Sequence, residues 1–147
     1  MSDGGVDSMP QRRPAILFLC VHNAGRSQMA AAFAKNIGEH RIVVHSAGSA
    51  PGESLNSAVV EAMRERGIDI SAEAPAKLTD AMGRGADVIV TMGCGDECPV
   101  YFGKRYVDWE LPDPAGKSVG EVRPIRDDIE QRVSALIEDL LSQHPGT

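Results

Sequence analysis

Cys20 and Arg26 are separated by Val21, His22, Asn23, Ala24 and Gly25, and Ser27 follows at once. These residue types at this spacing suit one chemistry: a sulfur nucleophile beneath a bound tetrahedral oxyanion. A chain that curls over so few residues turns successive N–H groups inward, and a helix beginning directly afterwards adds its positive end to the same point. The backbone of Val21, His22, Asn23, Ala24, Gly25 and Arg26 is therefore the expected oxyanion cradle. Arg26 would grip two oxygens through its planar fork, which a lysine does not offer. A cysteine in such a field is expected as a thiolate at neutral pH. Gly25 permits the backbone path, and Asn23 is a non-glycine type that tolerates left-handed dihedrals. The plainer alternative is a buried cysteine at a strand end before an ordinary capped helix; cysteine, glycine, arginine and serine all falling where the chemistry wants them speaks against it.

Two further segments carry reactive groups. In Leu111-Pro112-Asp113-Pro114-Ala115-Gly116, Asp113 can supply the proton that a departing oxygen needs, provided it is protonated when substrate is bound, which a nearby dianion and partial burial would favour. Its alternative is an Asp-Pro turn initiator. In Met92-Gly93-Cys94-Gly95-Asp96-Glu97-Cys98-Pro99, Cys94 and Cys98 add two thiols on a glycine-containing segment. Half a zinc site is one use for them, but no second pair completes a tetrahedral set, so no metal is expected. Two inert loop cysteines are another. A disulfide relay is the better use of three thiols, because a nucleophilic cysteine that has reduced something must itself be re-reduced.

Elements must bring these segments to one place. Residues 15–19, 41–45, 87–92 and 104–109 read as strands; residues 28–37 and 57–66 read as helices, the second closing at Gly67. A short helix is expected around 78–82, and a long closing helix within 119–143 carries Ile125, Ile129, Val133, Leu136, Ile137 and Leu140 near helical spacing. Strands alternating with helices imply a three-layer α/β domain with a four-stranded parallel sheet and right-handed crossovers. In such sheets the ligand sits beyond the carboxyl ends of the strands, where Cys20 falls.

Composition agrees. A chain of 147 residues with 42% hydrophobic content is about one domain. The expected division is a disordered leader over 1–13 and one domain over 14–147. Net charge −6 argues against a basic face for nucleic acid. Three cysteines without framework spacing favour a reducing, cytoplasmic compartment. Arg12-Arg13 precede an apolar stretch as in a secretory signal, but that stretch is too short and breaks at His22-Asn23. No apolar run approaches a membrane span. Nothing in the pattern demands more than a monomer, and Tyr101, Phe102, Tyr106 and Trp109 are expected to serve strand and loop packing rather than a partner.

The residues carry a family resemblance. The cysteine loop with Arg26-Ser27-Gln28-Met29-Ala30, then Ser46-Ala47-Gly48, Gly67-Ile68-Asp69-Ile70-Ser71, Val90-Thr91-Met92, Cys98-Pro99 and Trp109 through Asp113-Pro114-Ala115-Gly116, resembles the arsenate reductases built on the low-molecular-weight protein tyrosine phosphatase fold. It covers nearly all of the chain after the leader. The phosphatases typically follow Asp-Pro with aromatic residues that flank phosphotyrosine; Ala115-Gly116 fit a small inorganic oxyanion better. The resemblance implies that Cys20 attacks arsenic, Asp113 protonates the departing oxygen, and Ser27 supports the thiolate while Asn23 shapes the loop. Cys94 then attacks Cys20 and releases arsenite, Cys98 attacks Cys94, and thioredoxin reduces the final disulfide. No bound metal or organic cofactor takes part, and the biological sense is arsenical detoxification.

The chain departs from the family at two points. Only three residues separate Cys94 from Cys98, fewer than in better-known members, which leaves their order of attack open. Some members use an acidic residue four positions after the loop serine to support a potassium site; here it is Ala31, so none is expected. His22 is expected either to help lower the Cys20 pKa or to be a solvated loop residue. Three other functions remain open at this level: an arsenate reductase using a low-molecular-weight thiol of the mycothiol or glutathione type, a phosphotyrosine phosphatase, and a non-catalytic oxyanion or arsenic sensor, against which Asp113 argues.

Overall fold

The computed structural model describes residues 13–93 and 100–143. Residues 1–12 and the segment holding Cys94 and Cys98 lie outside the described residues, and so do the expectations of a disordered leader and of a role for those two thiols.

Four strands form one parallel sheet: β1 (Ala15–Cys20), β2 (Val43–Gly48), β3 (Val88–Thr91) and β4 (Arg105–Asp108), in the order β2-β1-β3-β4. Among the described residues four helices connect and close it: α1 (Arg26–Gly38), α2 (Ser57–Arg64), α3 (Asp80–Gly85) and α4 (Val119–Gln143). The expected α/β class and sheet are those observed.

Every residue of β1 is buried, because it pairs with strands on both sides and is covered on both faces. Its alternating side chains divide the interior. Ile16, Phe18 and Cys20 join the larger core with Met29, Phe33, Met63, Ile129, Val133 and Ile137 from α1, α2 and α4. Leu17 and Leu19 face the opposite way, into a thinner layer with Ala47 and Ile89 that Leu78, Met82 and Tyr101 cover. These are the three layers, and the parity of β1 places Cys20 on the side of the helices that follow it.

Boundaries moved where tertiary pairing outweighed local pattern. β2 begins at Val43 rather than 41 because residues Glu39–Arg41 form a 3-10 turn, and it runs on to Gly48 because its register pairs Gly48 with Cys20. α1 starts at Arg26 rather than 28, so the loop is shorter than read and Arg26 and Ser27 belong to the first helical turn. α2 stops at Arg64, and the chain turns through Gly67 at φ 77°. α3 follows Thr79, whose hydroxyl accepts the Met82 N–H and so fixes the start at Asp80, two residues later than the 78–82 expected, and the helix runs on to Gly85.

The aromatic residues divide. Trp109 is buried and its ring lies 6.1 Å from that of Phe18 at 42°. Tyr101 packs on the thin layer, as expected. Phe102 does not pack: it is 94% exposed.

Candidate active site

The carboxyl ends of β1 and β2 open into a cleft of about 360 Å³ lined by Cys20, His22, Ala24, Gly25, Arg26, Gly52, Ser54, Asn56 and the loop from Asp113 to Gly116. Cys20 is the last residue of β1 and 3% exposed, so its sulfur sits at the floor.

Two groups address that sulfur. The Asn23 N–H donates to Cys20 Sγ at 3.2 Å, and Ser27 Oγ lies 2.8 Å from it. The direction of the second bond follows from what stands behind it. The backbone N–H of Ala76 can only donate, and it reaches Asn23 Oδ1 at 2.8 Å, so the other end of that amide is Nδ2. Asn23 Nδ2 donates to Ser27 Oγ at 2.7 Å, which leaves the serine hydrogen free to point at the sulfur. Gln28 Nε2 closes the set, with Asn23 Oδ1 at 3.0 Å, Asn23 O at 3.1 Å and Ala74 O at 3.3 Å. Asn23 and Ser27 have no exposed surface and Gln28 only 4%. Buried polar atoms without partners are costly, so this satisfied set fixes the loop in one arrangement. It also holds Asn23 in the left-handed conformation, φ 53°.

Helix α1 differs from its neighbours at its start. Asn56 caps α2 by accepting from Ala58 and Val59 N–H, Thr79 caps α3, and Ser118 with Glu121 forms a reciprocal box at α4. Gly25, at the start of α1, offers no side-chain acceptor, and no acidic residue stands in the first turn. The positive end of α1 is thus left facing the cleft.

Arg26 and Asp113 form the far wall. Arg26 Nη1 donates to Leu111 O at 3.0 Å, and Nη2 lies 3.7 Å from Asp113 Oδ2. Gly93, at φ 84°, adjoins this guanidinium: a Cβ there would sit 2.7 Å from Nη1. Gly25 is required by proximity, since a Cβ would come within 2.7 Å of Pro114 Cγ. Asn56 ties the walls together. Its N–H donates to Ala24 O and its Nδ2 to Pro114 O at 3.1 Å, so one residue links the cysteine loop, α2 and the Asp113 loop.

The sequence-derived residues therefore fall into groups. Cys20, His22, Ala24, Gly25, Arg26 and Asp113 line the cleft. Asn23 and Ser27 lie behind it, and the Asn23 N–H is directed at the sulfur. Val21 packs against the Leu17 and Leu19 layer and its carbonyl accepts the Ala50 N–H. His22 is exposed at the rim. Asp113 is not the partly buried group expected: its side chain is 55% exposed, and Oδ1 accepts the Ala115 N–H at 3.0 Å, so turn former and cleft residue are one. Gln28 and Asn56 were missed. Asn56 carried a signal, an asparagine immediately before a helical pattern; Gln28 stood only within the motif that carries the family resemblance, with no role attached to it.

A cysteine at the end of the central strand, an arginine six residues on in the first turn of the next helix, and an aspartate-proline loop opposite define a phosphatase-like oxyanion site. The family model for low molecular weight phosphotyrosine protein phosphatase matches residues 15–145, and the chain belongs to that family. Among its relatives, the glutaredoxin arsenate reductase of Synechocystis is 34% identical over 125 residues, 83% of this chain and 95% of that protein. The thioredoxin-dependent arsenate reductase Cg_ArsC1' of Corynebacterium glutamicum superposes with TM-score 0.77 at 39% identity, covering 93% of this chain but 65% of that one. The YwlE arginine phosphatase of Geobacillus stearothermophilus superposes with TM-score 0.79 at 25% identity, covering 88% and 94%. No helix among the described residues is long and apolar enough to cross a membrane.

Proposed function

We propose that this chain is an arsenate reductase whose three cysteines act in turn and whose reductant is thioredoxin. The observation that carries the reading is the directed chain from Ala76 N–H through Asn23 and Ser27 to the Cys20 sulfur, set at the uncapped start of α1 with Arg26 and Asp113 opposite. Relatives named as arsenate reductases support the substrate, and so does the loop after Asp113, where Pro114, Ala115 and Gly116 bring no aromatic wall for a phosphotyrosine ring.

In this reading arsenate binds against the first-turn N–H groups and Arg26. Cys20 Sγ attacks arsenic as a thiolate; the sulfur–arsenic bond forms and one oxygen departs as water with a proton from Asp113. Cys94 then attacks Cys20 Sγ. The Cys20–Cys94 disulfide forms as the sulfur–arsenic bond breaks, its electron pair goes to arsenic, and arsenite is released. Cys98 attacks Cys94 and frees Cys20. The dithiol of thioredoxin reduces Cys94–Cys98 through a mixed disulfide and leaves oxidised. Two thiols supply the two electrons that arsenate accepts, so no metal or organic cofactor is called for. A cytoplasmic, monomeric enzyme fits this thiol chemistry.

The test is arsenate-dependent NADPH consumption with thioredoxin and thioredoxin reductase, comparing the native chain with Cys98→Ser. Steady turnover that collapses in the variant is expected. Turnover that ignores thioredoxin and needs glutathione with glutaredoxin, the partner in the Synechocystis relative's name, would overturn the thioredoxin assignment. Phosphoester hydrolysis without arsenate reduction would return the chain to the phosphatases of its family.

A further inference from the structure

The loop that leaves the segment of Cys94 and Cys98 presents its apolar side chains outward. Val100 is 70% exposed and Phe102 94%. Between them Tyr101 is fastened: its ring packs on the Leu17 and Leu19 layer, its N–H donates to the Tyr106 hydroxyl at 2.5 Å, and its own hydroxyl lies 3.4 Å from Asp80 Oδ1. Lys104 is fastened on the other side, with Nζ donating to Arg84 O at 2.6 Å. Phe102 is thus held in the open by anchors on both flanks.

We infer that Val100 and Phe102 are the apolar contact on which thioredoxin docks to reduce the Cys94–Cys98 disulfide. The inference rests on the function proposed above, and chain length carries it further. Four residues lead from Cys98 to Phe102, so their Cα atoms are at most ~14 Å apart, and Val100 lies within ~7 Å of Cys98, whatever path the segment takes. A dithiol protein must bring one of its sulfurs into bonding contact with Cys94 or Cys98. An interface of ordinary size covers about 800 Å² on each partner, a patch roughly 30 Å across. Any partner that performs the exchange therefore approaches Val100 and Phe102, and anchored aromatic residues are the side chains that dominate such contacts.

The experiment titrates thioredoxin in the arsenate assay for the native chain, Phe102→Ala and Phe102→Asp, with dithiothreitol as a parallel reductant small enough to need no docking surface. KM for thioredoxin is expected to rise about tenfold in Phe102→Ala and further in Phe102→Asp, with turnover under dithiothreitol unchanged. A side chain this exposed supports little of the fold, so both variants should melt as the native chain does. An unchanged KM for thioredoxin in both variants would overturn the docking surface and leave the proposed function standing. A native chain that turns over with dithiothreitol but never with thioredoxin would overturn both. Sedimentation showing a native dimer that Phe102→Asp dissociates would overturn the inference and give the surface to a second copy of this chain.

Discussion

The hydrogen-bonded set behind the cleft and the seam between α2 and α4 both bury polar groups, yet they use them in opposite ways. In the seam, Arg126 is 7% exposed and donates to Ala62 O at 2.8 Å, Glu65 Oε1 at 2.9 Å and Asp127 Oδ1 at 2.8 Å. Arg123 holds both oxygens of Glu65, at 2.9 and 2.7 Å. Every charge meets an opposite charge, and the Glu65 carboxyl is pulled down to about 2, first by its hydrogen bond to Arg123. The cleft set is built from neutral amides and a hydroxyl, and its donors converge on one sulfur that borders open space. A network that ends on its own members gives stability; one that ends on an atom at a cleft floor can give reactivity.

Breaking each network should therefore show in a different measurement. Asn23→Ala removes the link between Ala76, Gln28 and Ser27, and about a hundredfold loss of arsenate turnover is expected from the misdirected sulfur. Its rate of Cys20 alkylation by iodoacetamide at neutral pH should fall with it; an unchanged rate would mean that the chain of bonds does not reach the sulfur. Arg126→Leu leaves the buried Ala62 carbonyl without its donor while Glu65 keeps Arg123, and denaturant unfolding should show a loss of about 2 kcal/mol while kcat of the folded variant stays native. A matching fall in kcat would show that the seam reaches the cleft through α2. Glu65→Gln gives the smallest effect and the sharpest contrast, because it depends on pH. The folded-state pKa lies below the ordinary 4.5, so the stabilisation is complete above that value and is lost as pH falls toward about 2. The gap in Tm between native and variant chains should be widest near about pH 6 and close over that acid range; a gap independent of pH would contradict it.

The two networks were also unequally legible. Cys20, Arg26 and Asp113 stand out because a thiol, a guanidinium and a carboxyl are reactive or anion-binding types by themselves and two of them sit at a telling spacing. Gln28 reads as a motif residue near a helix start, with nothing to say what it does. Its role appears when Ala74, 46 residues further on, comes to within 3.3 Å of it. Arg126 and Glu65 look like surface charges on two amphipathic helices, and nothing local says that they meet across 61 residues. Phe102 misled in the other direction: aromatic type predicted packing, and the loop's anchors decided exposure.

The sequence by itself determined which reactive side chains this chain carries, at what spacing, and the alternation of strand and helix that brings Cys20 to the sheet's carboxyl edge, since residue type and hydrophobic period are properties of short stretches. Only the tertiary structure decided where α1 begins, which backbone N–H orients Asn23, how Asn56 joins the cysteine loop to the Asp113 loop, and which aromatic ring stays in water. Those depend on a hydrogen-bond partner or a packing surface far along the chain, and a partner of that kind exists only once the sheet has assembled.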